Sequence, residues 1–280
     1  MITELHCHTT ASDGRLSATE VVQLAKQRDV SLLAITDHDT IAAHEEALAA
    51  GSALGLRVIP GIEVSSLSAQ GEVHVLGYNV RPTDTVTIRT LNSLRGVREA
   101  RARGMIDKLA ALDIHVPFAR VQALAGDAMI GRPHLARALV EMGAVANMQA
   151  AFDQYLAEGK PAFVPHEGLT PAQAVDLIHA AQGIAVLAHP ALYRGDLAAL
   201  LNDLLAAGLD GIEVFYPQHT PAQIEQYKAI ARQHNLVMTG GSDFHAIIGD
   251  QPASIGTVHV PDDCLRELDA RMQARASRRD

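Results

Sequence analysis

The segment Ile2-Thr3-Glu4-Leu5-His6-Cys7-His8 begins as a short strand-like run and ends in two histidines. Similar runs return along the chain, and helical patterns separate them. In the first half, strand-like runs occupy residues 2–5, 32–36, 58–62 and 73–80, with helical patterns at 18–28 and 41–54. This alternation is typical of β/α units around a parallel sheet.

The same alternation returns in the second half of the chain. Helical patterns cover residues 170–179, 196–207, 221–234 and 264–275, and strand-like runs cover 184–188, 211–215, 236–239 and 255–260. The total is roughly seven strands, and the sequence has no glycine-rich nucleotide fingerprint. We therefore expect an α/β fold, with a closed or distorted barrel favoured over a doubly wound sheet.

Residues 85–165 interrupt this order, because they show helical periodicity but no convincing strand. We expect a long helix over residues 85–112 and shorter helices at 134–142 and 149–157. The sequence thus predicts a catalytic barrel of residues 1–84 and 166–280, with a mainly helical, substrate-binding insertion domain of residues 85–165.

The composition is that of a globular protein. Of 280 residues, 48% are hydrophobic and 20% are charged, which excludes disordered and fibrous chains. No apolar run approaches the roughly 20 residues of a membrane span, and residues 1–4 do not resemble a signal peptide, so we expect a cytoplasmic protein. Two isolated cysteines, Cys7 and Cys264, predict neither a disulfide framework nor a thiolate metal site.

The net charge of −9 is unevenly distributed. Residues 81–137 carry ten basic and five acidic side chains, a local charge of +5, which leaves −14 for the remainder. Arginines outnumber lysines 19 to 4, and a guanidinium group binds phosphate in a bidentate manner. We expect a short, locally held phosphate ligand as partner, and no duplex nucleic acid, membrane or obligate protein partner.

Histidines and carboxylates stand at or near the ends of almost all the predicted strands. His6 and His8 share one face of the first strand, because side chains alternate along a strand. Active sites of α/β barrels gather where the strands end. A lone histidine is more often structural than functional, but here the set comprises His6, His8, Asp13, His38, Glu63, His74, His189, Asp243 and His245.

This combination of imidazoles and carboxylates predicts a metal cluster. It suits manganese, zinc or iron. The set is larger than one zinc ion needs, so we expect two or three divalent ions, manganese first among the candidates, and a carboxylate that bridges two of them. The sequence lacks a Gly-x-Ser-x-Gly elbow and a P-loop, which disfavours serine hydrolases and nucleoside triphosphatases.

Five motifs together resemble those of the PHP (polymerase and histidinol phosphatase) superfamily: His6-Cys7-His8, Thr36-Asp37-His38-Asp39, Gly61-Ile62-Glu63, Ala188-His189-Pro190 and Ser242-Asp243-Phe244-His245. Within the insertion, Ile130-Gly131-Arg132-Pro133-His134 and residues 155–161 resemble the branch of nucleoside 3′,5′-bisphosphate phosphatases and short-RNA 5′-to-3′ exonucleases.

The resemblance implies a distorted (β/α)7 barrel and a division of the ligands among three metal positions. The first would use His6, His8, Glu63 and Asp243. Glu63 would bridge to the second, which His74 and His189 also hold, and the third would use Asp13, His38 and His245. Asp37 and Asp39 would orient ligand histidines.

The resemblance also implies hydrolysis of phosphate esters. The expected substrate is a nucleoside 3′,5′-bisphosphate such as adenosine 3′,5′-bisphosphate, which loses its 3′-phosphate, with 5′-to-3′ exonuclease action on short 5′-phosphorylated RNA as a second activity. A hydroxide between two metals would attack phosphorus in line. The expected catalytic residues are Glu63, Asp243 and His245, the last also a candidate proton donor.

Three further residues are predicted to contact the substrate. Arg132 and His134 lie in a glycine-flanked loop and are expected to hold its phosphate, and Tyr216 is expected to stack on a base. For each residue a structural role stays open: local pairing of Arg132, a helix start at His134 and simple packing of Tyr216.

Three other functions also stay open. Preference for histidinol phosphate would indicate a small-metabolite phosphatase, and cleavage of a carbon–nitrogen bond would indicate an amidohydrolase. A failure to release phosphate from any ester would indicate a non-catalytic metal-binding accessory module.

Overall fold

The computed structural model describes residues 1–81, 85–126, 130–165, 168–246 and 254–277. Seven strands form one sheet in which each strand pairs with the next along the chain. The strands are β1 (Ile2–Glu4), β2 (Val30–Ile35), β3 (Arg57–Ser68), β4 (Gly71–Tyr78), β5 (Ile184–Leu187), β6 (Gly211–Phe215) and β7 (Val237–Gly240). Only β4 runs antiparallel to its neighbours, β3 and β5. The predicted α/β class is confirmed.

The helices around the sheet begin and end largely where local sequence signals place them. They are α1 (Ala18–Gln27), α2 (His44–Leu54), α7 (Pro171–Ala180), α8 (Leu197–Ala206), α9 (Pro221–His234) and α10 (Asp262–Ala276). At the start of α1, Ser17 Oγ accepts from the Glu20 backbone N–H and Glu20 Oε2 accepts from the Ser17 N–H, a capping box that satisfies two helix-end donors. Helix α2 ends at Gly55, whose φ of 62° suits glycine.

The segment between β4 and β5 is helical. It contains α3 (Thr85–Ala110), α4 (Phe118–Ala125), α5 (Arg132–Glu141), α6 (Met148–Ala151) and a π-helical turn (Phe152–Leu156). Helix α4 is an addition to the predicted elements. The helices share a hydrophobic cluster of their own, which includes Met105, Leu109, Leu135 and Leu139. The predicted boundaries at residues 84 and 166 lie outside the described residues.

The predicted strand at residues 255–260 is wrong, because this stretch forms turns. Gly256 has a φ of 75°, and its N–H donates to the Glu4 side chain (Oε2) at 2.9 Å instead of to the backbone of a neighbouring strand. Val260 is buried in the core without joining the sheet. Within the described part of the chain, no helix is long and apolar enough to cross a bilayer.

The segments that follow the strands meet at one end of the sheet. Cys7, after β1, forms a parallel bridge with Phe244, after β7, and the His8 N–H donates to the Phe244 carbonyl at 2.8 Å. After β2, His38 forms a parallel bridge with Glu63. These backbone contacts bring the histidine-bearing segments side by side.

Candidate metal centre

Glu63 lies at the centre of a group of imidazoles and is 1% exposed. Its Oε2 atom is 3.3 Å from His6 Nε2, 3.2 Å from His8 Nε2 and 3.1 Å from His38 Nδ1. These histidines come from the segments after β1 and β2, whereas Glu63 lies within the long strand β3. One carboxylate oxygen therefore contacts three imidazoles.

The second oxygen of Glu63 faces the other side of the site. Its Oε1 atom is 2.8 Å from His74 Nδ1, on β4, and 3.0 Å from His189 Nε2, just after β5. His189 has a φ of 25°, an uncommon conformation for a residue with a Cβ, and strain of this kind is often found at functional sites. Glu63 thus touches one set of histidines with each oxygen, as a carboxylate bridging two ions would.

Asp243 completes the group around the first oxygen of Glu63. Its Oδ1 atom lies 3.3 Å from His6 Nε2 and 3.0 Å from His8 Nε2. The donor atoms of His6, His8, Glu63 and Asp243 all lie within 4.8 Å of one another. These are the residues expected at the first metal position.

Asp13 is the centre of a second group. Its Oδ1 atom lies 3.2 Å from His245 Nε2, and its Oδ2 atom lies 3.9 Å from His38 Nε2. His8 joins this group through its Nδ1 atom, 3.9 Å from Asp13 Oδ1. The structure thus gathers all nine residues selected as ligands, and their roles in metal binding stay a prediction.

A metal ion fits these residues, because several buried donor atoms have no hydrogen bond among the described residues. They include His6 Nε2, His38 Nδ1 and Glu63 Oε2. Buried polar atoms are normally paired, so a cluster of unpaired ones requires an explanation. Mixed imidazole nitrogen and carboxylate oxygen donors are a common ligand set of manganese, zinc and iron. Divalent ions would supply the missing partners.

Protonation patterns in the metal-free cluster agree with this interpretation. Burial lowers the pKa of His8, but its contacts with Asp243 and Glu63 outweigh that effect and raise the pKa to about 10. Burial raises the pKa of Glu63, yet the imidazoles of His38, His74 and His6 bring it well below its usual range. A proton on His8 therefore offsets carboxylate charge in the metal-free cluster, and an incoming cation would replace that proton.

Glu213, on β6, supports the cluster from behind and was not predicted from the sequence. It is fully buried, accepts from His6 Nδ1 at 3.0 Å and accepts from the His189 N–H at 2.7 Å. A carboxylate on the far nitrogen of a ligand histidine fixes the ring orientation and tautomer. Glu213 thus holds one residue from each of the two groups that share Glu63.

Asp37 and Asp39 were expected to orient ligand histidines, and this prediction is wrong, because neither carboxylate hydrogen-bonds to a ligand histidine. Asp37 accepts from the Thr9 N–H at 2.7 Å and from Ser12 Oγ at 2.6 Å. Asp39 accepts from the Ser65 N–H at 2.7 Å and from Arg98 Nε at 2.5 Å. The first aspartate orders the loop after β1, and the second holds an arginine.

Arginines from the helical segment line a cavity of about 210 Å³ that opens beside the cluster. We call it the arginine cavity. Its charged wall consists of Arg98, Arg101 and Arg132, its inner end reaches Asp13, His38, His74 and His245, and its apolar wall includes Met105, Ile130, Leu135 and Phe152.

Two carboxylates hold these arginines in place, Asp39 in the turn after β2 and Glu72 on β4. Arg98 is bound to Asp39, as described above, and also donates to Ser65 Oγ at 2.7 Å. Glu72, two residues before His74, accepts from Arg101 through one oxygen and from Arg132 Nη2 through the other, at 2.8 Å. Such charge-assisted hydrogen bonds fix the guanidinium planes.

The three residues expected to contact substrate lie in different environments. Arg132 lines the arginine cavity and is partly exposed. His134 is buried, and its Nδ1 atom accepts from the Gly131 N–H at 3.0 Å, so this nitrogen caps α5. Tyr216 is 7% exposed, packs on His189 and donates to Asp243 Oδ2 at 3.0 Å. A buried ring suits the positioning of Asp243 better than stacking on a base.

A comparison with known families gives a clear result. The family model for the PHP domain matches residues 4–159, more than half of the chain. The chain belongs to the PHP family. The family resemblance of the five motifs is thereby confirmed, and with it the prediction of a hydrolase.

Similar proteins within the PHP family cover almost the whole chain. A 3′,5′-nucleoside bisphosphate phosphatase of Chromobacterium violaceum is 38% identical over 277 residues, 96% of this chain and 97% of the relative. The 5′-3′ exoribonuclease Rnm of Escherichia coli is 40% identical over 254 residues, 88% of this chain and 85% of the relative.

A solved structure is similarly close to this PHP protein. It is an amidohydrolase from Chromobacterium violaceum with bound sulfate and no metal, and it superposes with a TM-score of 0.88 at 36% identity, covering 97% of each chain. The α/β fold is therefore shared along nearly the full length.

Proposed function

We propose that this protein is a metal-dependent phosphoesterase that removes the 3′-phosphate of nucleoside 3′,5′-bisphosphates, with 5′-to-3′ cleavage of short 5′-phosphorylated RNA as a related activity. Among the relatives, one is named for each of these activities. Both reactions break the bond between phosphorus and the 3′ oxygen of a nucleotide. One site can therefore perform both.

The observation that carries this proposal is the arginine cavity beside the cluster. A bisphosphate needs a cation-rich site for the phosphate that reacts and a second positive site for the phosphate that remains. The cluster meets the first requirement when loaded with divalent ions, and Arg98, Arg101 and Arg132 meet the second. The apolar wall of the cavity offers contact for a sugar or base. Histidinol phosphate has only one phosphate and would leave the second site unused.

The proposed metal assignments are those that the family resemblance implies. The contacts of the two Glu63 oxygens support them, and the donor atoms of His38 also group with those of Glu63 and His74. We propose His6, His8, Glu63 and Asp243 for one ion, Glu63, His74 and His189 for a second, and Asp13, His38 and His245 for a third, with manganese as the preferred metal. Bound divalent ions would act as Lewis acids and lower the pKa of water to about 7. The amidohydrolase and accessory-module alternatives lack a comparable use for the arginines.

The chain's own residues would orient and hold the reactants. Glu213 fixes the ring of His6, and Tyr216 fixes Asp243, so neither ligand has to reorganise during the reaction. Glu72 keeps Arg132 pointed at the cavity. His245 lies at the inner end of the cavity with its Nδ1 atom 2.8 Å from the Asp243 carbonyl. When the third position holds no ion, its Nε2 atom is free to carry a proton, and we propose His245 in that state as the group that protonates the departing 3′ oxygen.

We also propose that the sheet closes into a distorted barrel. One core cluster contains residues from β2, β3, β4, β5 and β7 together with Leu268 of α10, which supports a sheet that curls around a common interior. The bridge between Cys7 and Phe244 supports closure between the two ends of the sheet. The separate hydrophobic cluster of α3–α6 supports an insertion domain of residues 85–165.

Turnover of a substrate panel tests the proposed function. The metal-free protein, reloaded with manganese or zinc, is given adenosine 3′,5′-bisphosphate, 3′-AMP, 5′-AMP, histidinol phosphate and short 5′-phosphorylated RNA. We expect the highest kcat/KM for the bisphosphate. A preference for histidinol phosphate, or no phosphate release from any compound, would overturn the proposal.

A further inference from the structure

A second cavity of about 210 Å³ adjoins the cluster and shares His74 and Arg132 with the arginine cavity. We call it the side cavity. Its remaining walls come from the start of β4, from Glu158 and from the segment after β5, and they include Gly71, Glu72, His189, Leu192, Tyr193 and Arg194. The two cavities therefore meet at one candidate ligand, His74, and at Arg132, whereas His189 lines the side cavity alone.

The side cavity differs from the arginine cavity in charge. Its two arginines, Arg132 and Arg194, are matched by two carboxylates, Glu72 and Glu158. The Glu158 carboxylate lies beside Gly71, with Oε2 3.4 Å from the place where a Cβ would stand. The cavity is thus close to neutral, and a second phosphate dianion would gain little there. It suits a neutral polar group.

The segment after β5 adds apolar and aromatic surface to this cavity. His189, with its φ of 25°, turns the chain into a short 3₁₀ helix (Pro190–Leu192). Leu192 is 43% exposed, an unusual position for a large apolar side chain beside a polar site. Tyr193 is half-buried, and its hydroxyl lies 3.0 Å from Ser68 Oγ, a contact that ties the ring to β3.

The two proposed substrates differ at the reacting phosphate, where RNA carries one more ribonucleoside, which is itself uncharged. In both, water attacks phosphorus, the bond from phosphorus to the 3′ oxygen breaks, and that oxygen leaves with a proton on the first nucleotide. In RNA the attacked phosphate also carries the next ribonucleoside through its 5′ oxygen, and in the bisphosphate it carries none. Only RNA therefore needs room for a ribose and base beyond the reacting phosphate.

We propose that the side cavity binds this next ribonucleoside of a short 5′-phosphorylated RNA. The inference rests on the proposed function, in which the first nucleotide and its 5′-phosphate occupy the arginine cavity. Leu192 and Tyr193 contact the base, and Glu158 and Arg194 offer hydrogen bonds to its polar groups or to the ribose. The two cavities then bind the two nucleosides that one phosphodiester joins.

The test compares adenosine 3′,5′-bisphosphate with 5′-phosphorylated diadenylate in three variants. Leu192→Ala and Tyr193→Ala should each lower kcat/KM for the dinucleotide about tenfold, because loss of a base contact weakens binding by about this factor. Their kcat/KM for the bisphosphate should stay unchanged. Tyr193→Phe keeps the ring and should retain dinucleotide cleavage. Leu112→Ala is the matched control, since Leu112 is also 43% exposed but lies outside both cavities.

A second readout is independent of turnover. Equilibrium binding of both nucleotides to the metal-free protein should show a weaker affinity of Tyr193→Ala for the dinucleotide alone. Equal losses for both substrates, no loss for either, or a wild-type protein that cleaves the bisphosphate but not the dinucleotide would overturn the side-cavity proposal. A wild-type protein that cleaves neither compound would instead overturn the proposed function.

Discussion

Replacement of Glu213 by glutamine tests whether the buried cluster is a metal centre. The side chain keeps its size, and its remaining oxygen can still accept from the His189 N–H. The new amide group, however, faces His6 Nδ1 across the former 3.0 Å hydrogen bond and cannot accept from it. Loss of such a partner behind a ligand histidine lowers metal affinity about 10- to 100-fold. That loss equals about 1.4 to 2.7 kcal/mol.

The assay is competition for manganese between the protein and a chromophoric chelator, followed by kcat/KM for adenosine 3′,5′-bisphosphate at saturating manganese. Glu225→Gln is the control, because Glu225 is an exposed glutamate of α9 that pairs with Lys228. We expect weaker manganese binding in Glu213→Gln alone, with part of the activity restored by excess metal. Wild-type manganese affinity in a folded Glu213→Gln protein would refute the assigned role of Glu213 and weaken the metal assignment of His6.

Three further outcomes are expected. Arg132→Ala should raise KM for the bisphosphate about 10- to 100-fold, because the loss of one charge-assisted hydrogen bond weakens binding by about this factor. The manganese content measured by elemental analysis should stay the same. An equal loss of metal would contradict this prediction. Manganese affinity should rise with pH, because His8, whose pKa is raised to about 10, must lose a proton before it binds a cation. Calorimetry in two buffers should show that proton release. An affinity that does not change with pH would contradict this prediction. Leu139 lies in the core of the helical segment, and Leu139→Ala should lower the free energy of unfolding in urea by about 2 to 5 kcal/mol. The manganese content of the folded protein should not change. Loss of metal would show that this segment and the metal centre are not independent.

The location of the centre could be predicted from the sequence because β/α order and strand alternation determine it. Parallel strands end on one side of the sheet, so the polar residues that follow β1, β2, β5 and β7 come together. Glu63 and His74 lie within β3 and the antiparallel β4, and this rule does not place them. His6 and His8 illustrate this, since alternation alone puts both rings on the same face. Strand alternation alone could not divide the cluster into groups, because distances between residues from different strands depend on sheet curvature. The family resemblance supplied that division as an expectation.

The supporting carboxylates were harder to predict. Glu213 lies between Ile212 and Val214 in a short buried strand, and a charged residue there was a signal, since a buried carboxylate needs partners. Asp39 lies beside His38 in the motif, and the sequence favoured a histidine partner over Arg98, which is 59 residues away. Such pairs depend on how the helical segment packs on the sheet, which local patterns do not encode.

The strand predicted at residues 255–260 failed for a related reason. Apolar residues such as Ile255 and Val260 are buried as expected, but burial alone does not require a sheet neighbour. The buried Glu4 carboxylate takes the Gly256 N–H, so turns form where a strand pattern was read. The Glu4 side chain, near the other end of the sequence, thus accepts a hydrogen bond from the backbone of this segment.

The arginines held by Asp39 and Glu72 restrict which helical segments could replace the one between β4 and β5 of this protein. A helical segment transplanted from a relative with another specificity would have to bring an arginine to face Asp39, or leave a buried anion without a counterion at a cost of several kcal/mol. The same holds for Glu72, which needs two cations. A replacement segment in this protein would therefore have to carry arginines that pair with Asp39 and Glu72.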